Sequence, residues 1–149
     1  MKKVLWLILL IFLLGFTRMS AQDRPFGLGL MFGYPTGISL KYWIDDKQAI
    51  DGGITWSFYH DGYFQVHSDY LRHAYVIDVN KGKLPFYYGL GARLGFGHNV
   101  HFGARVPLGI EYIFQNEPID LFFELVPGME FLPEPDFSFE SAIGFRYFF

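Results

Sequence analysis

Large and small side chains alternate along this chain with a period of two, and the large ones are overwhelmingly apolar. In the last stretch Phe137, Phe139, Ser141, Ile143, Phe145, Tyr147 and Phe149 occupy one set of alternate positions. Ser138, Glu140, Ala142, Gly144, Arg146 and Phe148 occupy the other. A period of two places the sets on opposite faces of a β-strand. The pattern recurs upstream. Ala104, Val106, Leu108, Ile110, Tyr112 and Phe114 stand opposite Gly103, Arg105, Pro107, Gly109, Glu111 and Ile113. Leu121, Phe123 and Leu125 oppose Asp120 and Glu124, and Ile38, Leu40, Tyr42 and Ile44 oppose Gly37, Ser39, Lys41 and Trp43.

In a soluble sandwich the apolar face would form the core and the charged face would meet water. The composition of the second face argues otherwise. It carries Gly27, Gly29, Gly33, Gly37, Gly53, Gly89, Gly91, Gly95, Gly103, Gly109, Gly128 and Gly144. Glycine weakens a strand and suits places where space is scarce. A narrow closed barrel that must admit a few long charged side chains is such a place. The sequence therefore predicts an inverted protein, apolar outside and polar within.

Turn residues divide the chain into eight predicted strands: Phe26–Tyr34, Gly37–Ile44, Ala49–His60, Tyr63–Val76, Pro85–Phe96, Phe102–Phe114, Ile119–Phe131 and Phe137–Phe149. The intervening "PT", "DDKQ", "DG", "IDVNKGKL", "GHNVH", "QNEP" and "LPEPD" are short and rich in Gly, Pro, Asn and Asp, as hairpin connections require. The expected fold is all-β, an eight-stranded antiparallel up-and-down transmembrane β-barrel. Strands of about ten residues suit a tilted crossing of hydrocarbon, and closure leaves no unpaired edge. Aromatics near the strand ends read as two interfacial girdles. Phe32, Tyr34, Phe58, Phe64, Phe96 and Phe131 mark one rim, and Tyr75, Tyr112, Phe114, Tyr147 and Phe149 the other.

Residues 1–21 read as a cleaved signal peptide. "MKK" is basic, Val4 to Phe16 is an unbroken apolar run of 13 residues, and "TRMSA" offers cleavage after Ala21. That run is short for a membrane helix. Residues 22–149 form the expected barrel domain. The chain contains no Cys, which excludes disulfides, thiol chemistry and a lipid-modified cysteine. Once Lys2, Lys3 and Arg18 are removed, nine basic residues face fifteen acidic ones, a net charge of −6. That balance argues against a nucleic-acid partner.

The terminal stretch "SAIGFRYFF", alternating aromatics and ending on Phe, resembles the last strand of bacterial outer-membrane barrels, and the mature chain resembles the small OmpA- and OmpX-type class. "GYPTGISLKYW" and "RVPLGIEYIF" resemble segments of a little-characterised family of short outer-membrane barrels. The resemblance implies location in the outer membrane of a diderm bacterium, with outer-membrane lipids and the barrel-insertion machinery as partners. It also implies that Phe145, Tyr147 and Phe149 form a carboxy-terminal insertion signal. A monomer is expected. Long outer loops carry function in larger members of the class, and here those loops are short.

By parity nine charged residues face inward: Lys41, Asp51, Asp69, Arg93, Arg105, Glu111, Glu124, Glu140 and Arg146. An unpaired buried charge costs several kcal/mol, so the expectation is a mutually paired plug rather than an ion path. A turn centred in "GHNVH" would set residues summing to about 198 opposite each other, with Arg93 beside Arg105. Those arginines should then share Asp69, Glu124 or Glu140. Ser57, His60, Asp61 and His67 contain the parts of a lipid-modifying acyl hydrolase or transferase, but Ser57 and His67 face inward while His60 faces outward, and no nucleophile elbow surrounds the serine. His98 and His101 make too few ligands for a metal site. "GLGARLGFG" lacks the spacing of a phosphate loop. The expectation is a non-enzymatic barrel without cofactor or metal, structural or interacting at the cell surface. The alternatives are the acyl hydrolase/transferase and a secreted lipocalin-like calyx for an apolar ligand.

Overall fold

The computed structural model describes residues 23–57 and 63–149. The expected leader therefore lies outside the described residues, as do Phe58, His60 and Asp61. Nine strand segments are described: β1 (Phe26–Tyr34), β2 (Thr36–Trp43), β3 (Gln48–Ser57), β4 (Tyr63–Ala74), β5 (Phe86–Phe96), β6 (Val100–Arg105), β7 (Leu108–Ile113), β8 (Ile119–Leu132) and β9 (Asp136–Phe148). All pairings are antiparallel. The ladders run β4-β3-β2-β1-β9-β8, continue through β6 and β7 to β5, and return from β5 to β4. The sheet is a hydrogen-bonded ring.

The count corrects the eight strands read from the sequence. The predicted segment Phe102–Phe114 is broken into β6 and β7 at Val106–Pro107. Proline has no N–H to give to a ladder, so strand geometry lapses there. Direction does not change. Gly91 opposes Arg105 before the break and Phe86 opposes Ile110 after it, which is one register. On the other side Arg105 opposes Gly128 and Leu108 opposes Leu125, again without slippage. β6 and β7 thus lie end to end as one stave between β5 and β8.

The alternation seen in the sequence has its structural counterpart in burial. Lys41 and Arg146 are each 1% exposed, whereas outward Leu90 is 64% and Ile143 60% exposed. The large apolar side chains clothe the outside of the ring, and the small, charged face fills the inside. Glycines make that filling possible by seating large inward residues from the next strand. A Cβ at Gly109 would collide with the Tyr87 ring, one at Gly144 with Phe122, and one at Gly27 with Phe148. Gly89, Gly91 and Gly95 of the "GLGARLGFG" stretch lie within β5.

Outward aromatics gather toward the two rims. Phe64 packs near Phe96, with ring centroids 6.3 Å apart, and Phe102 near Phe131 at 6.1 Å. At the end bearing the termini of the sheet, Tyr112 meets Phe114 edge-on at 4.8 Å and Tyr147 meets Phe149 at 5.0 Å. The opposite end, here called the mouth, carries tight reversals. Between β1 and β2 the Thr36 hydroxyl accepts from Gly33 N (3.2 Å) and donates to Gly33 O (3.0 Å). Gly33 adopts φ 141°, a value that side chains disfavour.

Candidate functional site

The charged interior forms two clusters stacked along the ring axis. The one nearer the chain termini is built around Glu111 of β7, which is fully buried. Lys41 of β2 donates to both of its oxygens at 2.7 and 2.6 Å. Arg146 of β9 donates to Oε1 at 3.2 Å, and His73 Nε2 of β4 lies 3.0 Å from Oε2. Arg146 also grips Asp120 of β8, with Nε donating to both oxygens at 3.1 and 3.0 Å. Aromatic faces complete the solvation of the cations: Lys41 Nζ sits 4.2 Å above Trp43, and the Arg146 guanidinium 4.2 Å above Phe122. Such stacking favours a desolvated cation.

The second cluster lies nearer the mouth and is organised by Arg93 and Arg105. Arg105 reaches Asp69 (Nε to Oδ1, 3.0 Å), Glu140 (3.3 Å) and Glu124 (3.7 Å). Arg93 bonds the other oxygen of Glu140 and reaches Glu130 at 2.7 Å. Tyr87 donates to Glu124 at 3.0 Å, and Gln65 to Glu140 at 3.3 Å. Asp51 and Arg146 stand 3.8 Å apart and connect the two levels.

One inward row explains the second cluster. Lys41 opposes Asp51, Asp51 opposes Asp69, Asp69 opposes Gly91, and Gly91 opposes Arg105. Because Gly91 has no side chain, Arg105 and Asp69 meet across the intervening strand. A Cβ there would occupy the position of the Asp69 carboxylate.

Two expectations are corrected here. Arg93 opposes Gly103, not Arg105, because the ladder sums to 196 rather than about 198. The hairpin turns on Gly97–Asn99, and Val100 and His101 already belong to β6. His101 is drawn into the strand by its inner contacts: its ring meets Tyr63 edge-on at 5.2 Å, and its Nδ1 lies 3.5 Å from Glu130. The two arginines are therefore diagonal neighbours sharing Glu140. The second correction concerns the extent of the cluster. Asp120, His67 and His73 join the buried groups, half-buried Glu130 joins them at the mouth, and Arg24 is buried near Phe148, whose carbonyl its Nη1 approaches at 3.4 Å. Asp120 and Glu130 have the parity of Glu124, and His67 and His73 that of Asp69, so parity alone could have found them.

The parts of an acyl hydrolase do not assemble among the described residues. His67 is buried opposite Gly53 and Arg93, whereas Ser57 opposes Tyr63 at the mouth. Four residues of strand, about 13 Å, separate the levels of Gly53 and Ser57. The Phe145 and Phe149 side chains are exposed, and Phe149 N donates to Phe26 O at 2.8 Å.

A cavity of about 540 Å³ opens at the mouth. Tyr63, Gln65, Arg93, His101, Glu130 and Glu140 contribute its polar lining. Its floor is thus the upper charged cluster.

Comparison with family models gives no match, and no curated protein matches the sequence. Among solved structures, the chain is similar to the N-terminal β-barrel domain of Pseudomonas aeruginosa OprF. The TM-score is 0.60 at 12% sequence identity, over 83% of this chain and 95% of that domain. The fold is that of a small β-barrel.

Proposed function

We propose that this protein is a non-enzymatic integral β-barrel of the outer membrane of a diderm bacterium. It acts as a monomer with a closed, charge-filled interior and a structural or interaction role at the cell surface. The observation that carries the reading is the inversion: buried ion pairs inside the ring, and exposed Leu, Ile, Phe and Tyr side chains outside it. Monomeric soluble proteins rarely expose large contiguous apolar patches, and water would penalise such a coat. Hydrocarbon favours it. The aromatic belts at both rims and the likeness to the OprF barrel domain support the same reading. The calyx alternative calls for an interior left open and lined by large apolar residues, whereas here Trp43, Phe122 and Phe148 share the interior with the buried charges Lys41, Glu111 and Arg146.

The test is expression in a diderm host with its leader, followed by membrane fractionation and gel electrophoresis with and without boiling. The protein should fractionate with outer membranes and migrate differently after boiling. In planar bilayers it should give no steady single-channel conductance. Recovery as a soluble monomer without detergent would overturn the membrane reading, and a reproducible conductance would overturn the closed interior.

A further inference from the structure

We propose that Asp51, His67 and Asp69 form a binding site for a divalent transition-metal cation of the zinc class inside the ring. The expectation from the sequence had no metal, because it sought ligands in the loop histidines. Asp51 and Asp69 oppose each other directly on β3 and β4, and like charges so placed repel. His67 is two residues from Asp69 on β4, hence on the same inward face. One ring nitrogen of His67 and one oxygen of each aspartate lie within 4.8 Å of one another. The three residues are 7%, 8% and 1% exposed.

A second observation points to a ligand. Asp51 Oδ1, both carboxylate oxygens of Asp69 and His67 Nδ1 are buried atoms without a hydrogen-bond partner, in an environment where nearly all such atoms have one. The nearby arginines approach one oxygen of each aspartate: Arg105 is at Asp69 Oδ1 and Arg146 at Asp51 Oδ2. Each aspartate therefore turns one ion-paired oxygen toward a guanidinium and keeps the other. The charge around the site also calls for a cation. Asp51, Asp69, Glu124, Glu130 and Glu140 gather around three guanidiniums, Arg93, Arg105 and Arg146, and the last of these also serves Glu111 and Asp120.

The backbone is shaped for the imidazole. Gly53 opposes His67, and a Cβ there would collide with the ring. One imidazole and two carboxylates make a mixed nitrogen and oxygen donor set that suits zinc or manganese. Calcium takes six to eight oxygens. Three protein ligands leave positions for water. Gln65, on the floor of the mouth cavity, precedes His67 by two residues on the same face of β4, so the site lies one inward step below that floor.

The experiment uses the full barrel refolded in detergent micelles, or in buffer if it proves soluble, freed of metal with a chelator. Heat-dependent gel migration first certifies folding of each sample, which separates failure of the site from failure of the membrane reading. Equilibrium dialysis against zinc alone should find one equivalent per chain, and cobalt as a spectroscopic substitute should develop visible absorption bands. His67→Ala should weaken binding on the order of tenfold or more, and Asp69→Asn should do the same. The double variant His98→Ala/His101→Ala should bind as the parent does. Absence of a stoichiometric site in the folded parent would overturn the proposal and leave a shared proton or an enclosed water between the aspartates. Undiminished binding by folded His67→Ala, or loss of binding in the His98/His101 variant, would overturn it too.

Discussion

Glu111→Ala removes the carboxylate on which the lower interior cluster converges. Lys41 donates to both of its oxygens at 2.6 and 2.7 Å, Arg146 donates at 3.2 Å, and His73 stands 3.0 Å away. Arg146 retains Asp120 after the substitution, but Lys41 Nζ is left buried with His73 Nε2 at 2.9 Å as its polar neighbour. Breaking a buried pair by removing one partner costs about 3–5 kcal/mol, because the other charge stays desolvated. We expect a loss of that size in urea unfolding of the barrel refolded in phospholipid vesicles. Tryptophan fluorescence reports it, since Trp43 lies against Lys41. Lys41→Met in the Glu111→Gln background should be less damaging than the separate losses imply, with a coupling of about 1–3 kcal/mol. A Glu111→Ala loss below about 1 kcal/mol, the range of exposed pairs, would mean that water reaches the cluster and would refute the sealed interior.

Two further outcomes test the geometry. Gly109→Val should displace the Tyr87 ring, which a Cβ at Gly109 would strike, and with it the Tyr87–Glu124 hydrogen bond. Overpacking of this kind costs about 1–3 kcal/mol by the same unfolding assay, and an unchanged midpoint would show that glycine is not required for space. For orientation, cysteines introduced at Asn99 and Asn116 should differ in intact cells, because those residues lie at opposite ends of the ring. The mouth position should react with an impermeant thiol reagent and the other should not, and the reverse pattern would invert the topology.

Most of the wall was legible in the sequence because a period of two leaves little freedom. Once Phe137 points outward, Glu140 and Arg146 must point inward, whatever the rest of the sheet does. The break at Val106–Pro107 was less legible, since the alternation continues through it unchanged. The β5–β6 register was missed by one pair because "GHNVH" reads as loop by composition. What draws His101 into β6 is Tyr63 and Glu130, which come from other strands. The same limit hid the metal-type trio. Parity places Asp51, His67 and Asp69 inside, but only the pairing of β3 with β4 makes them neighbours.

The two prolines beside that break have a mechanical consequence. Val106 N donates to Pro127 O, and Gly89 N donates to Pro107 O, but neither proline can return a bond. Pro107 on the β6–β7 stave and Pro127 on β8 thin the lacing of adjacent staves at nearly the same height. Pro107 costs the stave a bond on its β5 edge and Pro127 costs it one on its β8 edge, so at that height the β6–β7 stave is laced more thinly on both sides. A hoop laced thinly on both sides of one stave bends most easily at that level.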